Sequence, residues 1–313
     1  MSGTEMAYLK GEVMPLADAK ISIMTHALHY GTAVFEGIRA NWNAEHEQLY
    51  LFRMREHYER LRKSAHALMM DLPLSDDELC EITIDLVRRS GFKQDVYIRP
   101  MVYKSAEVLG VRLHGVAEDF LCFLIPWGAY LDTTGGVHVV TSSWRRTEDQ
   151  SIPVRAKVTG AYINSALAKT EAETAGFDEA IMLNEDGHVS EGSGENIFIV
   201  NDGVIYTPPS SDNILVGITR NTVVELAEQE LGIPTVERTL DRSELWLADE
   251  VFMTGTAAHV TPISSVDRRV INGGETGPIT AQLERLYFDA IIGNRDAYAH
   301  WLTPIYTDSY TDD

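Results

Sequence analysis

Lysine is scarce in this chain. Of 313 residues only 7 are lysine and 19 arginine, and these 26 basic residues face 47 acidic ones, for a formal net charge of −21. Duplex DNA, RNA and anionic membranes demand a dense basic surface, so none of them is expected as the main partner. A small anion held by a few buried cations remains open. Cysteine is nearly absent. Cys80 and Cys122 cannot build a disulfide framework, neither lies in a C-x-x-C pair, and their apolar neighbours suit reduced core thiols. Long apolar runs are missing too. The longest uncharged apolar stretch, Phe120 to Leu131, has 12 residues and contains Pro126 and Gly128, whereas a membrane span needs about 20. Glu5, Lys10, Glu12, Asp18 and Lys20 leave no secretory signal in the opening segment. These absences point to a soluble, cytoplasmic protein.

Several catalytic signatures are also absent: G-x-x-x-x-G-K-[ST], H-E-x-x-H, G-x-S-x-G and the EF-hand loop. Gly192-Ser193-Gly194 lacks the third glycine of a dinucleotide fingerprint. His26 and His29 have no cysteine or carboxylate at ligand spacing, so they read as structural histidines and no metal is expected.

What is present is an ordinary globular composition, 44% hydrophobic and 23% charged, long enough for two domains or one large one. Leu49 to Phe52 reads as a strand. Met54, Tyr58, Leu61, Ala65 and Leu68 recur at spacings of 4, 3, 4 and 3, one face of a helix. Ser75 precedes a second helix through Val87, with acids in its first turn and Gly91 beyond its end. Strands follow at 96–103 and 120–125, then a Pro-Gly-punctuated linker. Beyond it come a strand at 137–143, a helix at 159–175, and a hairpin around Asp186-Gly187. A strand at 197–200, a helix at 219–231, a strand at 250–254 and a helix at 278–292 close the pattern. Strands without regular helix alternation predict an α+β fold. The expected division is a small domain over 1–125, a linker over 126–134 and a large domain over 135–313.

Three segments carry candidate chemistry. In V-Y-I-R-P-M-V-Y at 96–103, strand alternation puts Tyr97 and Arg99 on one face with Met101 and Tyr103. An arginine in such surroundings needs an anion. That anion is either an internal carboxylate or a ligand's carboxylate, which the guanidinium fork matches in bidentate fashion. Gly217-Ile218-Thr219-Arg220 precedes a helix, where backbone N–H groups and a Thr hydroxyl make either an anion site or an ordinary cap. Met253 to Ala258 ends a strand in small residues that let backbone approach a ligand. Arg60, on the helix led by Arg53 and Arg55, reads by itself as a solvated charge.

The stretch H-A-L-H-Y-G-T-A-V-F-E-G-I-R at 26–39 resembles the N-terminal signature of branched-chain amino acid aminotransferases, fold-type IV enzymes that depend on pyridoxal 5′-phosphate (PLP). The likeness continues through Y-I-R-P at 97–100, P-W-G-A-Y at 126–130 and R-A-K-V-T-G-A-Y at 155–162. It extends to S-E-G-S-G-E-N-I-F at 190–198, G-I-T-R at 217–220 and A-D-E-V-F-M-T-G-T-A-A at 248–258. These blocks stand in the family's order and cover nearly the whole chain.

The resemblance implies two α+β domains with PLP in the cleft between them. Lys157 matches the lysine that holds PLP as a Schiff base and later moves the α-proton. Tyr162 matches the tyrosine on the cofactor's phenolic oxygen, and Glu191 the carboxylate paired with the pyridine nitrogen. Arg60, the N–H groups of Ile218 and Thr219 and the Thr256 hydroxyl match the phosphate site. Arg99 and Tyr97 match the pair that receives the distal carboxylate of glutamate or 2-oxoglutarate. Thr256, Ala257 and Ala258 correspond to the backbone that takes the α-carboxylate. Tyr30, Phe35, Trp127 and Tyr130 correspond to the apolar wall around the side chain of leucine, isoleucine or valine. The family also implies a homodimer or an assembly of dimers, with the 104–115 loop of one subunit near the partner's site.

Two departures stand out. The family often has Asn before the active-site tyrosine, where this chain has Ala161, and the 104–115 loop varies with substrate choice. Relatives of the same fold act on D-amino acids or (R)-amines, or eliminate pyruvate from aminodeoxychorismate. The Y-I-R triplet favours the branched-chain group. With so few lysines, Arg60, Arg99 and Lys157 are the cations expected at the cleft.

Overall fold

The computed structural model describes residues 3–128 and 136–306, and the chain divides into two compact units. Both contain sheet and helix, as the α+β reading expects. Tyr130, most of the expected linker and the polar tail from Thr307 lie outside the described residues.

The first unit comprises residues 1–128, 156–160 and 289–313. Its strands are β1 (Met6–Leu9), β2 (Glu12–Pro15), β3 (Ala33–Phe35), β4 (Ile38–Asn43), β5 (Gln48–Phe52), β6 (Val96–Lys104) and β7 (Glu118–Pro126). Its helices are α1 (His26–Tyr30), α2 (Met54–Ala67) and α3 (Asp76–Ser90). The sheet runs Leu302–Pro304, β5, β4, β6, β7, β1, β2, with β3 also on β6. The expected large domain of 135–313, which was to carry Lys157, therefore differs from the observed second unit in two places: residues 156–160, with Lys157, and the segment from 289 group with the first unit. Leu302, Thr303 and Pro304 pair antiparallel with Phe52, Leu51 and Tyr50 and complete the first unit's sheet.

The predicted helical stripe is the buried face of α2: Met54, Tyr58, Leu61, Ala65 and Leu68 are all buried, each such side chain contributing on the order of 1.5–3 kcal/mol when large. Helix α3 starts with a full capping box, Ser75 Oγ accepting from the Glu78 N–H while the Glu78 carboxylate takes the Ser75 N–H. It runs three residues past Val87, to Ser90, before Gly91 adopts the left-handed conformation.

Strand β6 organises the site. One of its edges pairs first with β4, Ile38 to Ala40 opposite Ile98 to Val96. It then pairs with β3, Ala33 to Phe35 opposite Tyr103 to Met101. Pro100 sits at the changeover, where it has no N–H to donate, and its carbonyl instead takes the Glu36 N–H at 2.9 Å. Glycine at 37 leaves room for the Tyr97 side chain of β6. A Cβ at Gly37 would stand 2.2 Å from the Tyr97 hydroxyl.

The second unit comprises residues 129–155 and 161–288. Its strands are β8 (Val137–Thr141), β9 (Glu179–Leu183), β10 (Val189–Gly192), β11 (Asn196–Asn201), β12 (Val204–Thr207), β13 (Thr235–Glu237), β14 (Glu250–Gly255), β15 (His259–Val266) and β16 (Arg269–Val270). The order is β10, β9, β8, β15, β14, β11, β12, β13, with β16 on β15. Pairing is mixed: β8 runs parallel to both β9 and β15. Alternate residues Val137 and Val139, Ile197 and Ile199, and Val251 and Met253 share one buried cluster, the period of two expected of a one-sided core. Strand β8 ends two residues before the expected Ser143, because Ser142 and Ser143 turn their hydroxyls to the Glu171 carboxylate. The helices are α4 (Tyr162–Thr174), α5 (Ile218–Leu231), α6 (Glu244–Leu247) and α7 (Pro278–Ile291), whose last three residues fall in the first unit. Among the described residues no helix is long and apolar enough to cross a membrane.

Candidate active site

In the first unit the segment carrying Lys157 behaves like an extra strand beside β3. The Phe35 N–H donates to the Lys157 carbonyl at 3.1 Å, and Val34 forms an isolated bridge with Val158. The Lys157 N–H donates to Ser64 Oγ of α2 at 3.1 Å. Thr159 Oγ1 donates to the carbonyls of Gly31 and Ala33. Gly31 has φ +63°, and a Cβ on it would lie 2.8 Å from the Gly160 backbone, so only glycine fits this close, left-handed crossing. The lysine's backbone is thus held on both sides, and its Nζ stands 5.2 Å from the centre of the Phe35 ring.

The same ring receives a second cation. The Arg99 guanidinium lies 4.5 Å from the Phe35 centroid and 5.1 Å from that of Tyr97, an attraction between cation and π-face. Arg99 Nη2 donates to the Tyr97 hydroxyl at 2.8 Å. Among the described residues no carboxylate pairs with Arg99, and its buried Nε has no hydrogen-bond partner. The internal salt bridge left open by the sequence is therefore not made there. Trp127 packs on Tyr97 with ring centroids 5.4 Å apart. Its carbonyl and that of Gly128 accept from Arg39 Nη2, a buried guanidinium that also pairs with Asp95.

Tyr30 closes α1, and its hydroxyl accepts the Gly110 N–H of the 104–115 loop at 3.0 Å. His26 ties the same two segments, Nε2 to the Gly110 carbonyl at 2.7 Å and Nδ1 to Thr32 Oγ1 at 2.8 Å. Both of its ring nitrogens therefore serve loop structure.

Arg60 is no solvated charge. Its Nε and Nη2 meet the two oxygens of the fully buried Glu36 at 2.7 and 2.8 Å, and His57 Nδ1 reaches the same carboxylate at 2.7 Å. Burial alone would raise the Glu36 carboxyl, but the Arg60 charge and the hydrogen bonds from Arg60 and His57 hold it well below the usual carboxylate range. Burial pushes the His57 imidazole down against the pull of Glu36, and the charges of Arg60 and Lys157 add to that fall. Arg60, Arg99 and Lys157, expected together, all belong to the first unit.

The second unit carries the remaining matches. Glu191 ends buried on β10. Its carboxylate accepts from Arg146 at 2.8 Å, from Asn196 Nδ2 at 3.1 Å and from the Leu215 N–H at 3.1 Å. The guanidinium among these donors makes a charge-assisted bond, stronger than a neutral one. Tyr162 is the first residue of α4, after a short 3-10 turn over Thr159–Ala161. Ile218 and Thr219 open α5 behind Gly217, which supplies no side-chain cap. N–H groups of a first turn have no intrahelical acceptor and attract anions. Thr256, Ala257 and Ala258 form the turn between β14 and β15, and Thr261 Oγ1 fixes it by donating to the Ala258 carbonyl at 2.7 Å.

Taken singly, these groups suit a phosphorylated pyridine aldehyde: in the first unit an amine on a fixed backbone, and in the second a buried carboxylate bonded to a guanidinium and a helix start with no side-chain cap. Sequence reasoning missed Glu36, His57, Arg39, Arg146 and Asn196. A signal existed for the first two. Glu36 is an acid set in an apolar run, and His57 and Arg60 lie three residues apart, on one helix face.

The profile of the amino-transferase class IV family matches residues 33–266. A probable branched-chain-amino-acid aminotransferase of Aquifex aeolicus is 52% identical over 302 residues, covering 96% of this chain and 97% of that protein. The crystal structure of a branched-chain aminotransferase from Thermoproteus uzoniensis with norvaline aligns at TM-score 0.92 and 45% identity. It covers 97% of this chain and all of the other. The branched-chain amino acid aminotransferase from Thermobaculum terrenum in its PLP-form aligns at TM-score 0.93 and 36% identity, covering 98% of this chain and 100% of that one. The chain belongs to the branched-chain-amino-acid aminotransferase family, within the fold-type IV, class IV aminotransferases.

Proposed function

We propose that this enzyme transfers the amino group of L-leucine, L-isoleucine or L-valine to 2-oxoglutarate, giving branched-chain 2-oxo acids and L-glutamate, with pyridoxal 5′-phosphate as cofactor. The observation that carries the reading is Arg99: a guanidinium with a buried unpartnered Nε, against Phe35 and Tyr97, in an otherwise apolar setting. An apolar wall with one such cation accepts an aliphatic side chain in one half-reaction and a distal carboxylate in the other.

When bound, PLP supplies an electron sink for the carbanion left by α-proton loss. The chain's own groups do the rest. Lys157 Nζ would hold the cofactor through its amine and, when released, would take the proton from the substrate's α-carbon. Glu191 would pair with the pyridine nitrogen and favour its protonated form, and Tyr162 would donate to the phenolic oxygen. Arg60, the N–H groups of Ile218 and Thr219 and the Thr256 hydroxyl would hold the phosphate. The N–H groups of the 256–258 turn would receive the α-carboxylate, and Tyr30, Phe35 and Trp127 would face the aliphatic side chain and exclude water from it. The visible spectrum tests the lysine and the cofactor together. Wild-type protein is expected to show an absorbance band that L-glutamate and L-leucine shift, and Lys157→Ala to lack it. Steady-state assays with L-leucine, D-alanine and (R)-1-phenylethylamine test the substrate. Amine turnover without L-leucine turnover would replace this reading by that of an (R)-amine transaminase.

The assembly we infer is a cytoplasmic homodimer or a set of dimers. It is supported by apolar residues left exposed on the two segments that His26 ties together, Ile23 and Leu28 on one and Leu109 and Val111 on the other. Light scattering at micromolar concentration checks it, and a monomer there would refute it.

A further inference from the structure

Glu36 is fully buried, and the transfer just described makes no use of it. Its backbone is fixed between β3 and β6 by the bond from its N–H to the Pro100 carbonyl. Its carboxylate is held from a single face of α2, by His57 Nδ1 at 2.7 Å and by Arg60 Nε and Nη2 at 2.7 and 2.8 Å. The two parallel bonds to Arg60 set the plane of the guanidinium as well as its position, which a single contact would not.

Glu36 has an electrostatic cost for anion binding. A carboxylate beside Arg60 cancels much of that cation's attraction for a phosphate. On charge alone this acid would weaken cofactor binding, so a useful role has to lie in orientation. A long arginine side chain on a helix surface otherwise samples many rotamers, and fixing it on binding costs affinity. We propose that Glu36, steadied by His57, is a positioning residue that fixes the Arg60 guanidinium for the cofactor's phosphate before the cofactor arrives. The proposal rests on the assignment of Arg60 to the phosphate, and it adds a residue that touches neither cofactor nor substrate.

The test compares binding of PLP and of pyridoxal, which lacks the phosphate, to apoenzyme, read by the visible absorbance that follows attachment to Lys157. The quantity of interest is the ratio of the two affinities. Arg60→Gln is expected to lower the ratio by about tenfold or more. Glu36→Gln is expected to lower it by a similar factor, with pyridoxal affinity within about twofold of wild type. Glu36→Asp keeps the charge but withdraws the carboxylate by one methylene, and is expected to shift the ratio the same way. It also carries the test if the glutamine variant does not fold. A Glu36 variant that binds PLP as tightly as wild type, or more tightly, while Arg60→Gln loses it, overturns the positioning role and shows a charge effect alone. An unchanged ratio in Arg60→Gln refutes the assignment of Arg60 instead.

Discussion

The Tyr97 hydroxyl accepts from Arg99 Nη2 at 2.8 Å, two residues away on the same face of β6. This bond aims a cation that has no carboxylate partner among the described residues. Its removal is expected to affect the two half-reactions unequally. In Tyr97→Phe, KM for 2-oxoglutarate should rise about three- to tenfold, while KM for L-leucine and kcat change by less than about twofold. Equal rises for both substrates would show that Tyr97 shapes the pocket without orienting Arg99.

Lys104 is the largest cation in the fully buried core of the first unit. All three of its ammonium protons are used, on the carbonyls of Met69 and Val116 and on Glu118 Oε2, at 2.9 to 3.0 Å. Lys104→Met removes one partner and leaves three acceptors behind. Breaking such a pair costs about 3–5 kcal/mol, so the urea midpoint should drop sharply while the affinity of the folded fraction for PLP is retained. A change below about 1 kcal/mol would place this ion pair with ordinary surface pairs.

Glu195 lies buried beside β10, where burial and the neighbouring Glu179 push its carboxyl up to about 8. In the unfolded chain a glutamate titrates near 4.5. Between those values the native state holds a proton that the unfolded state has released, so stability falls as pH rises through the window and levels off above it. Glu195→Gln removes this term. Urea unfolding at a series of pH values should show a smaller loss from pH 5 to pH 9 in the variant than in wild type. Parallel curves would mean that Glu195 ionises normally.

Much of the fold was legible because local physics wrote it. The α2 stripe, the Ser75 capping box and the Asp186-Gly187 hairpin each sit where short-range spacing puts them. The β1–β2 hairpin at the N-terminus, the parallel pairing of β8 and the return of Leu302–Pro304 escaped. Those pairings are decided by neighbours distant in the chain, which strand propensity does not encode. The site divides in the same way. Motif residues such as Lys157, Arg99 and Glu191 could be proposed from the sequence, since their blocks stand in the family's order. Their supports were not: Arg146 on Glu191 and Glu36 on Arg60 announce themselves only when three-dimensional proximity reveals a buried charge with its partner.

The strand Leu302–Pro304 also bears on how the protein is made. Its partners, Tyr50 to Phe52, leave the ribosome some 250 residues earlier, and the seat of Lys157 joins Phe35 across about 120 residues. Domains usually finish in the order of synthesis, yet here the first unit cannot complete its sheet until residues 302–304 have been made. During that wait the outer edge of β5 exposes unpaired backbone, a template for mispairing. Chains truncated before residue 302 should therefore aggregate through the edge of β5, although Lys157 and its seat on β3 are already present.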